Sequence, residues 1–322
     1  MTDKAMTGRS ITDKAPILVT GAAGSIGSVG RNIVELLRQR DLPVRALVHR
    51  LDERSTVLAD MGAEVVVADM TDGAEMVQSL QGVKRMYFGM SVSPSFLQAT
   101  TLAAAAAREI PDFEILVNMS QMTVSQMSLT KMTESTQQKQ HWLGEQVLNW
   151  SGVPTAHVRS TVFLEHFFFS AMAAASIARN GTIRLPFGTA RTSPIAADDV
   201  ARAAAEILAN PSGHAGNIYE LTGPRAQDIN EMATEYAAAL GRPVKYEDVP
   251  FEEFLKDDLL PLNLPPYVLE HIKTMAKLHA DGRYDRLTDD VAKLTGTPSM
   301  SVQEYVSQHP ELFATPATTR SA

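Results

Sequence analysis

The sequence predicts an α/β protein built on a doubly wound parallel sheet, with a smaller C-terminal α/β lobe. Three observations carry that expectation. A short apolar run, Ile17-Leu18-Val19, is followed by glycines at three-residue intervals, Gly21, Gly24 and Gly27, and then by Val29, Ile33, Leu36 and Leu37 on one helical face. Strand-like apolar runs then alternate with helical segments, the pattern of βαβ units with right-handed crossovers. The C-terminal part has no glycine turn of this kind of its own.

Each element has a local reason. Ile17 to Val19 is apolar throughout, as a parallel strand covered on both faces must be. In the turn that follows, one position bends sharply, another lets backbone N–H groups approach a pyrophosphate, and a third lets helix pack on strand. The positive N-terminal end of the next helix points at that turn and suits an anion. Val44 to Val48 reads as the second strand, closed by His49-Arg50 with Arg54 beyond. Glu64 to Asp69 reads as the third, followed by Asp72 and a helix from Gly73 to Leu80. Met86 to Met90 is the fourth strand; a loop from Ser91 to Ser95 then leads to an alanine-rich helix, Leu102 to Arg108, because alanine has the best helix propensity. Ile115 to Met119 is the fifth strand and ends at Ser120. A helix around Gln137 to Trp150, a strand from Thr155 to Arg159 and the phenylalanine-rich Phe163 to Phe169 extend the unit, and Ile218 to Leu221 returns to the sheet. The expected organisation is a disordered N-terminal extension at 1–15, a Rossmann-like NAD(P)-binding domain at 16–160, and a smaller substrate lobe at 161–322, some of whose segments rejoin the sheet.

At 322 residues, with 44% hydrophobic and 20% charged residues, the composition is that of an ordinary soluble globular protein. The absence of cysteine excludes disulfides, thiolate metal sites and cysteine nucleophiles. A net charge of -8 argues against a broad nucleic-acid surface. Met1 to Ala15 is polar and lacks a signal-peptide core, and no window reaches the length of a membrane span, so the expectation is a cytoplasmic protein that engages no membrane.

Ligands of doubly wound sheets bind at the carboxyl ends of the strands. That rule gathers Gly21, Gly24, Ser25, Ile26 and Gly27 of the turn with Arg50, Asp69, Met90 and Ser120 along one rim. An acid at the end of the second strand would hydrogen-bond the ribose 2′-hydroxyl of NAD, whereas arginine accommodates the 2′-phosphate of NADP. Arg50 therefore points to NADP(H), a solvated surface arginine being the other reading.

These residues resemble the NmrA-like branch of the atypical short-chain dehydrogenase/reductase superfamily, over roughly residues 16 to 313. The resemblance rests on Thr20-Gly21-Ala22-Ala23-Gly24-Ser25-Ile26-Gly27, on Val44 to Arg50, on His141-Trp142-Leu143-Gly144-Glu145 with Ser151-Gly152-Val153-Pro154-Thr155, on Ile195 to Val200, and on Tyr219 to Pro224. It implies either an NADPH-dependent reductase of quinones, dyes or activated alkenes, or a regulator that senses the dinucleotide with little or no catalysis. The partner of the first is a small aromatic or conjugated acceptor.

The chain departs from the wider superfamily at its acid. Where a tyrosine and a lysine four residues apart are usual, Gln137 and His141 stand here. Carbonyl reduction by the tyrosine route is therefore not expected, and solvent is left to supply the proton to an acceptor that spreads charge over a π system. The resemblance places Ser120 at the superfamily's active-site hydroxyl, the alternative being a locally satisfied strand-end hydroxyl. Ser120, Gln137 and His141 are the candidate catalytic residues, with His141 also a candidate contact to the ribose or nicotinamide. His141 and Glu145 share a helical face, but with no third ligand evident a metal is not expected. Met122, Phe163 and His166 are the candidate substrate contacts, with core packing as the other reading for the phenylalanine and the methionine.

Overall fold

The computed structural model describes residues 15–24 and 28–314. Ser25, Ile26 and Gly27 lie outside the described residues, as does the expected N-terminal extension except for Ala15. The strands are β1 (Ile17–Val19), β2 (Val44–Val48), β3 (Glu64–Val67), β4 (Arg85–Phe88), β5 (Ile115–Gln121), β6 (Thr155–Ser160), β7 (Thr182–Leu185), β8 (Ile218–Leu221) and β9 (Lys245–Asp248). Seven of them form one sheet in the order β3-β2-β1-β4-β5-β6-β8, and every pairing in it is parallel. β7 and β9 form a second, two-stranded parallel sheet.

The side-chain period of two explains how one sheet supports two cores. Ile17 and Val19 of β1, with Ile115 and Val117 of β5, pack against α1 (Val29–Arg38) on one face. The residues between them, Leu18 and Leu116, pack on the other face. There, after α2 (Glu53–Asp60), they meet α3 (Gly73–Ser79), α4 (Phe96–Arg108) and Leu148 of α5 (Thr136–Ser151). After α6 (Ala174–Asn180), the helix α7 (Ala197–Ala209) returns to lie beside α1, contributing Val200, Ala204 and Leu208 to the same core. β8 pairs with β6, so residues 197–221 belong to the sheet rather than to the lobe that precedes and follows them.

That lobe has its own core. It is built from Phe168 and Phe169, α6, β7, α8 (Ile229–Leu240) and β9, and then, beyond the short α9 (Phe251–Glu253), from α10 (Pro266–Ala280). α11 (Asp290–Thr295) leads back across the sheet side, and α12 (Val302–Gln308) packs on α8.

Element ends differ from expectation for identifiable reasons. α4 starts at Phe96, not Leu102, because Phe96, Ala99, Thr100 and Ala103 already form its buried face. β5 continues to Gln121 because its register with β6 pairs Gln121 with Ser160. β3 stops at Val67: the Asp69 N–H turns away to the Glu75 carboxylate at 2.6 Å, and the Asp69 carboxylate accepts from Thr71.

Candidate functional site

The order of the strands reverses between β1 and β4, and the loops that leave these two strands are pinned together. Thr20 Oγ1 donates to the Gly89 carbonyl and accepts from the Gly89 N–H, both at 2.9 Å. Gly21 follows with φ +64°, and a Cβ there would lie 2.7 Å from the Gly89 oxygen. On the other side, a Cβ on Gly30 of α1 would lie 2.8 Å from Ala22 Cα. Only glycine fits either position. The first turn of α1 has Ser28 at its N-cap with no side-chain hydrogen bond, so no side chain among the described residues caps that end. A closely approached backbone turn, followed by a helix N-terminus with no side-chain cap among the described residues, suits a pyrophosphate.

From this pinch a cavity of about 580 Å³ runs along the carboxyl ends of β4, β5 and β6 and is bounded on one side by α10. The size is that of a small-molecule site. Met90, Ser120, Gln137, His141, Phe163 and His166 all line it, so the structure brings these six expected residues together.

Their polar atoms are already committed in instructive ways. Ser120 Oγ donates to Glu145 Oε1 at 2.5 Å, and the buried Glu145 carboxylate also receives Arg159 Nε at 3.0 Å and Nη2 at 2.6 Å. Ser120 is thereby an acceptor towards any further partner. Gln137 Oε1 accepts from the Ser93 N–H and the Tyr267 hydroxyl, each at 3.1 Å. That orientation leaves its amide nitrogen to donate to His141 Nε2 at 3.2 Å. His141 Nδ1 is buried without a partner among the described residues. His141 thus has no free nitrogen for a ligand and offers a ring, packed 4.0 Å from the Phe96 ring centroid. Burial, reinforced by His271, pushes its imidazole down to about 3, so it is neutral. His166 is held at about 3 by burial in the same way. The Glu165 carboxyl is pushed up to about 7 by burial, against the pull of the Ala197 N–H that donates to it at 3.0 Å.

Three expected residues stand elsewhere. Arg50 is on the surface with 75% of its side chain exposed, 3.7 Å from Asp52. Its neighbour Arg54 is the arginine that touches the glycine turn, donating to the Ala23 carbonyl at 2.8 Å. Asp69 is exposed, its carboxyl held below the usual range by the Thr71 N–H and hydroxyl, and it does not line the cavity. Met122 requires correction: β5 ends at Gln121, the chain turns into a 3₁₀ helix at Met122, and its side chain is fully buried outside the lining. Met90, Met119 and Met275 supply the cavity's methionines instead.

Several lining residues escape a reading of local sequence. Gly30 continues the three-residue rhythm of the turn, and Gly89 falls in the last part of the expected fourth strand, so both had a signal. His271, Met275 and Tyr284 come from α10 and the segment after it, which only tertiary packing carries to the cavity.

A parallel sheet with a glycine-pinched switch point and a cavity along the neighbouring strand ends defines a Rossmann-type dinucleotide-binding protein. Within that class the chain belongs to the NmrA-like family, which it matches over residues 13–306. It is 28% identical to an NAD(P)H azoreductase of Xenophilus azovorans over 92% of this chain and 99% of that one. It is 30% identical to a (4-alkanoyl-5-oxo-2,5-dihydrofuran-3-yl)methyl phosphate reductase of Streptomyces griseus, again over 92% and 99%. Among solved structures, the NADPH-dependent quinone oxidoreductase QOR2 of Escherichia coli, complexed with NADPH, superposes with a TM-score of 0.78 at 22% identity, over 91% of this chain and 99% of that one.

Proposed function

We propose that this protein is an NADPH-dependent oxidoreductase that reduces a conjugated acceptor such as a quinone, a dye or an activated alkene. The observation that carries the reading is the continuity between the glycine pinch and the cavity: a dinucleotide held at Gly21, Gly24 and Gly30 would reach directly into the space lined by Ser120, His141 and His166. The relatives support the chemistry, being named as reductases of an azo compound and of an unsaturated lactone. Arg50 follows the end of β2 and Arg54 lies in the first turn of α2, where a 2′-phosphate would be met.

A reduced nicotinamide, when bound, supplies hydride. The chain's own groups position, orient and exclude water. Ser120, with its proton committed to Glu145, presents lone pairs to a donor such as an amide NH₂. Gln137 ties the loop after β4 to α5 and, through Tyr267, to α10, which forms one wall of the cavity. Ile272, Met275 and Met119 make the wall apolar, so a flat acceptor displaces water from it. With neither tyrosine at 137 nor lysine at 141, the balancing proton comes from solvent, which a charge-delocalising acceptor tolerates.

The test is loss of nicotinamide absorbance when purified protein meets NADPH and a panel of quinones, azo dyes and enones. Turnover with one class supports the reading. Tight NADPH binding with no turnover on any of them overturns it and leaves a dinucleotide sensor.

A further inference from the structure

Two imidazoles in the cavity wall have their tautomers set from behind. Ser135 caps α5, its Oγ accepting the Gln138 N–H at 3.2 Å, and the same Oγ lies 2.7 Å from His271 Nδ1. The hydroxyl is fully buried, and His271 Nδ1 is the one partner among the described residues left to take its proton. His271 therefore accepts at Nδ1 and carries its own proton at Nε2. His166 reaches the same state by another route, its Nδ1 accepting the Phe168 N–H at 3.3 Å. Neither Nε2 is among the sealed, unpartnered polar atoms, neither has a partner among the described residues, and both residues line the cavity. His141 is the contrast: Gln137 holds its Nε2 as an acceptor, and its Nδ1 is shut in.

We propose that His271 and His166 are N–H donors to the oxygen atoms of the substrate, with Ser135 as the positioning residue for His271, and that the site therefore takes a carbonyl-bearing conjugated acceptor. This rests on the oxidoreductase reading for its role in turnover. Burial holds His271 at about 4 and His166 at about 3, with His271 and His279 further opposing charge on His166, so both stay neutral donors at physiological pH. Two fixed N–H groups place the positive ends of their dipoles toward the substrate, which suits a carbonyl oxygen. As hydride adds to the conjugated system from the reduced nicotinamide, the carbonyl π pair moves onto oxygen. The N–H groups hold that charge without giving up their protons, and solvent provides the proton that completes the product.

The proposal can be read without turnover. In ¹⁵N-histidine NMR of the cofactor-free protein, the resonances lost in His271→Gln and His166→Gln should show a protonated Nε2 and an unprotonated Nδ1. Calorimetric titration with 1,4-naphthoquinone should show roughly tenfold or greater weakening in His271→Leu. His271→Gln should largely restore binding, because its amide N–H reaches the position of Nε2. A cationic triarylmethane dye should bind His271→Leu no more weakly than wild type. Ser135→Thr, which keeps both the cap and the hydroxyl proton, should preserve the tautomer, and Ser135→Ala should lose it. A proton on Nδ1 of His271, or equal naphthoquinone binding by His271→Leu and wild type, overturns the proposal. If the titrations follow expectation while NADPH is not oxidised by the quinone, the oxidoreductase reading falls and the donor site stands.

Discussion

Two arginines follow β2, Arg50 before α2 and Arg54 in its first turn, and they are held differently. Arg54 is fixed between Asp52 and the Ala23 carbonyl, whereas Arg50 is exposed and only loosely paired with Asp52, so Arg50 is the cation free to turn to a phosphate. Arg50→Asp should weaken NADPH roughly tenfold or more while changing NADH little, because a charge-assisted pair is replaced by like-charge repulsion. Calorimetric titration with both cofactors decides it; equal weakening removes the 2′-phosphate assignment. His141 makes the opposite case, a residue that lines the cavity with no nitrogen free. His141→Ala should lower turnover of a conjugated acceptor by less than about a hundredfold, below the usual range for losing a general acid. A thousandfold fall in kcat with NADPH affinity unchanged would make His141 the acid after all. Ser120, Gln137 and His141 are singled out through the family resemblance and His166 through its place after the sixth strand, and all four line the cavity. His271 is not legible in this way: its partner Ser135 is 136 residues away, and no local pattern distinguishes it from any histidine on an amphipathic helix.

Among the elements, α1 makes a close backbone contact with the turn after β1 that positions the site. Gly30 sits in the middle of it, with Ala22 Cα and the Gly21 carbonyl each 2.8 Å from where a Cβ would be. Backbone cannot yield as a flexible side chain would, so Gly30→Val must lift α1 from the sheet. We expect a loss of stability of about 2–4 kcal/mol, in the range for overpacking a rigid contact, together with loss of NADPH binding. Urea denaturation and titration of the same variant check both; retained stability with retained affinity would mean that α1 is not clamped there. The sheet was legible at this scale because strands buried on both faces read as unbroken apolar runs, and β8 was visible as Ile218 to Leu221. β7 and β9 were not, since four-residue strands with mixed burial acquire their meaning only from pairing with each other. Boundaries slipped for a similar reason: what ends β3 is the Glu75 carboxylate taking the Asp69 N–H, a contact made by the following helix.

Taken as a whole, the molecule buries imidazoles that are neutral when folded, and this sets how its stability responds to acid. Burial holds His141 and His166 at about 3 and His271 and His279 at about 4, against 6.5 for a free imidazole. Above pH 6.5 neither folded nor unfolded chain protonates these groups. As pH falls below 6.5 the unfolded chain takes up protons that the folded chain cannot, so stability declines from about pH 6.5 toward pH 4. Glu165 works in the opposite direction, since its folded value of about 7 lies above the unfolded 4.5, and acidification between those values relieves a cost; the Asp199 and Asp258 carboxyls, also raised by burial, act in the same sense. His279 isolates the effect. It is stacked between Phe187 at 4.4 Å and Tyr284 at 4.0 Å, its Nδ1 donates to the Met275 carbonyl at 2.8 Å, and its Nε2 has no partner among the described residues. Its share of the decline at pH 5 is about 2 kcal/mol, the difference between a free imidazole and one held two to three units lower. His279→Phe keeps an aromatic ring in the stack and removes the titration, so its loss of stability between pH 7.5 and pH 5 should be smaller than that of wild type by about this amount. Urea midpoints of both proteins at the two pH values measure it, and an unchanged difference would show that His279 takes up its proton in the folded state.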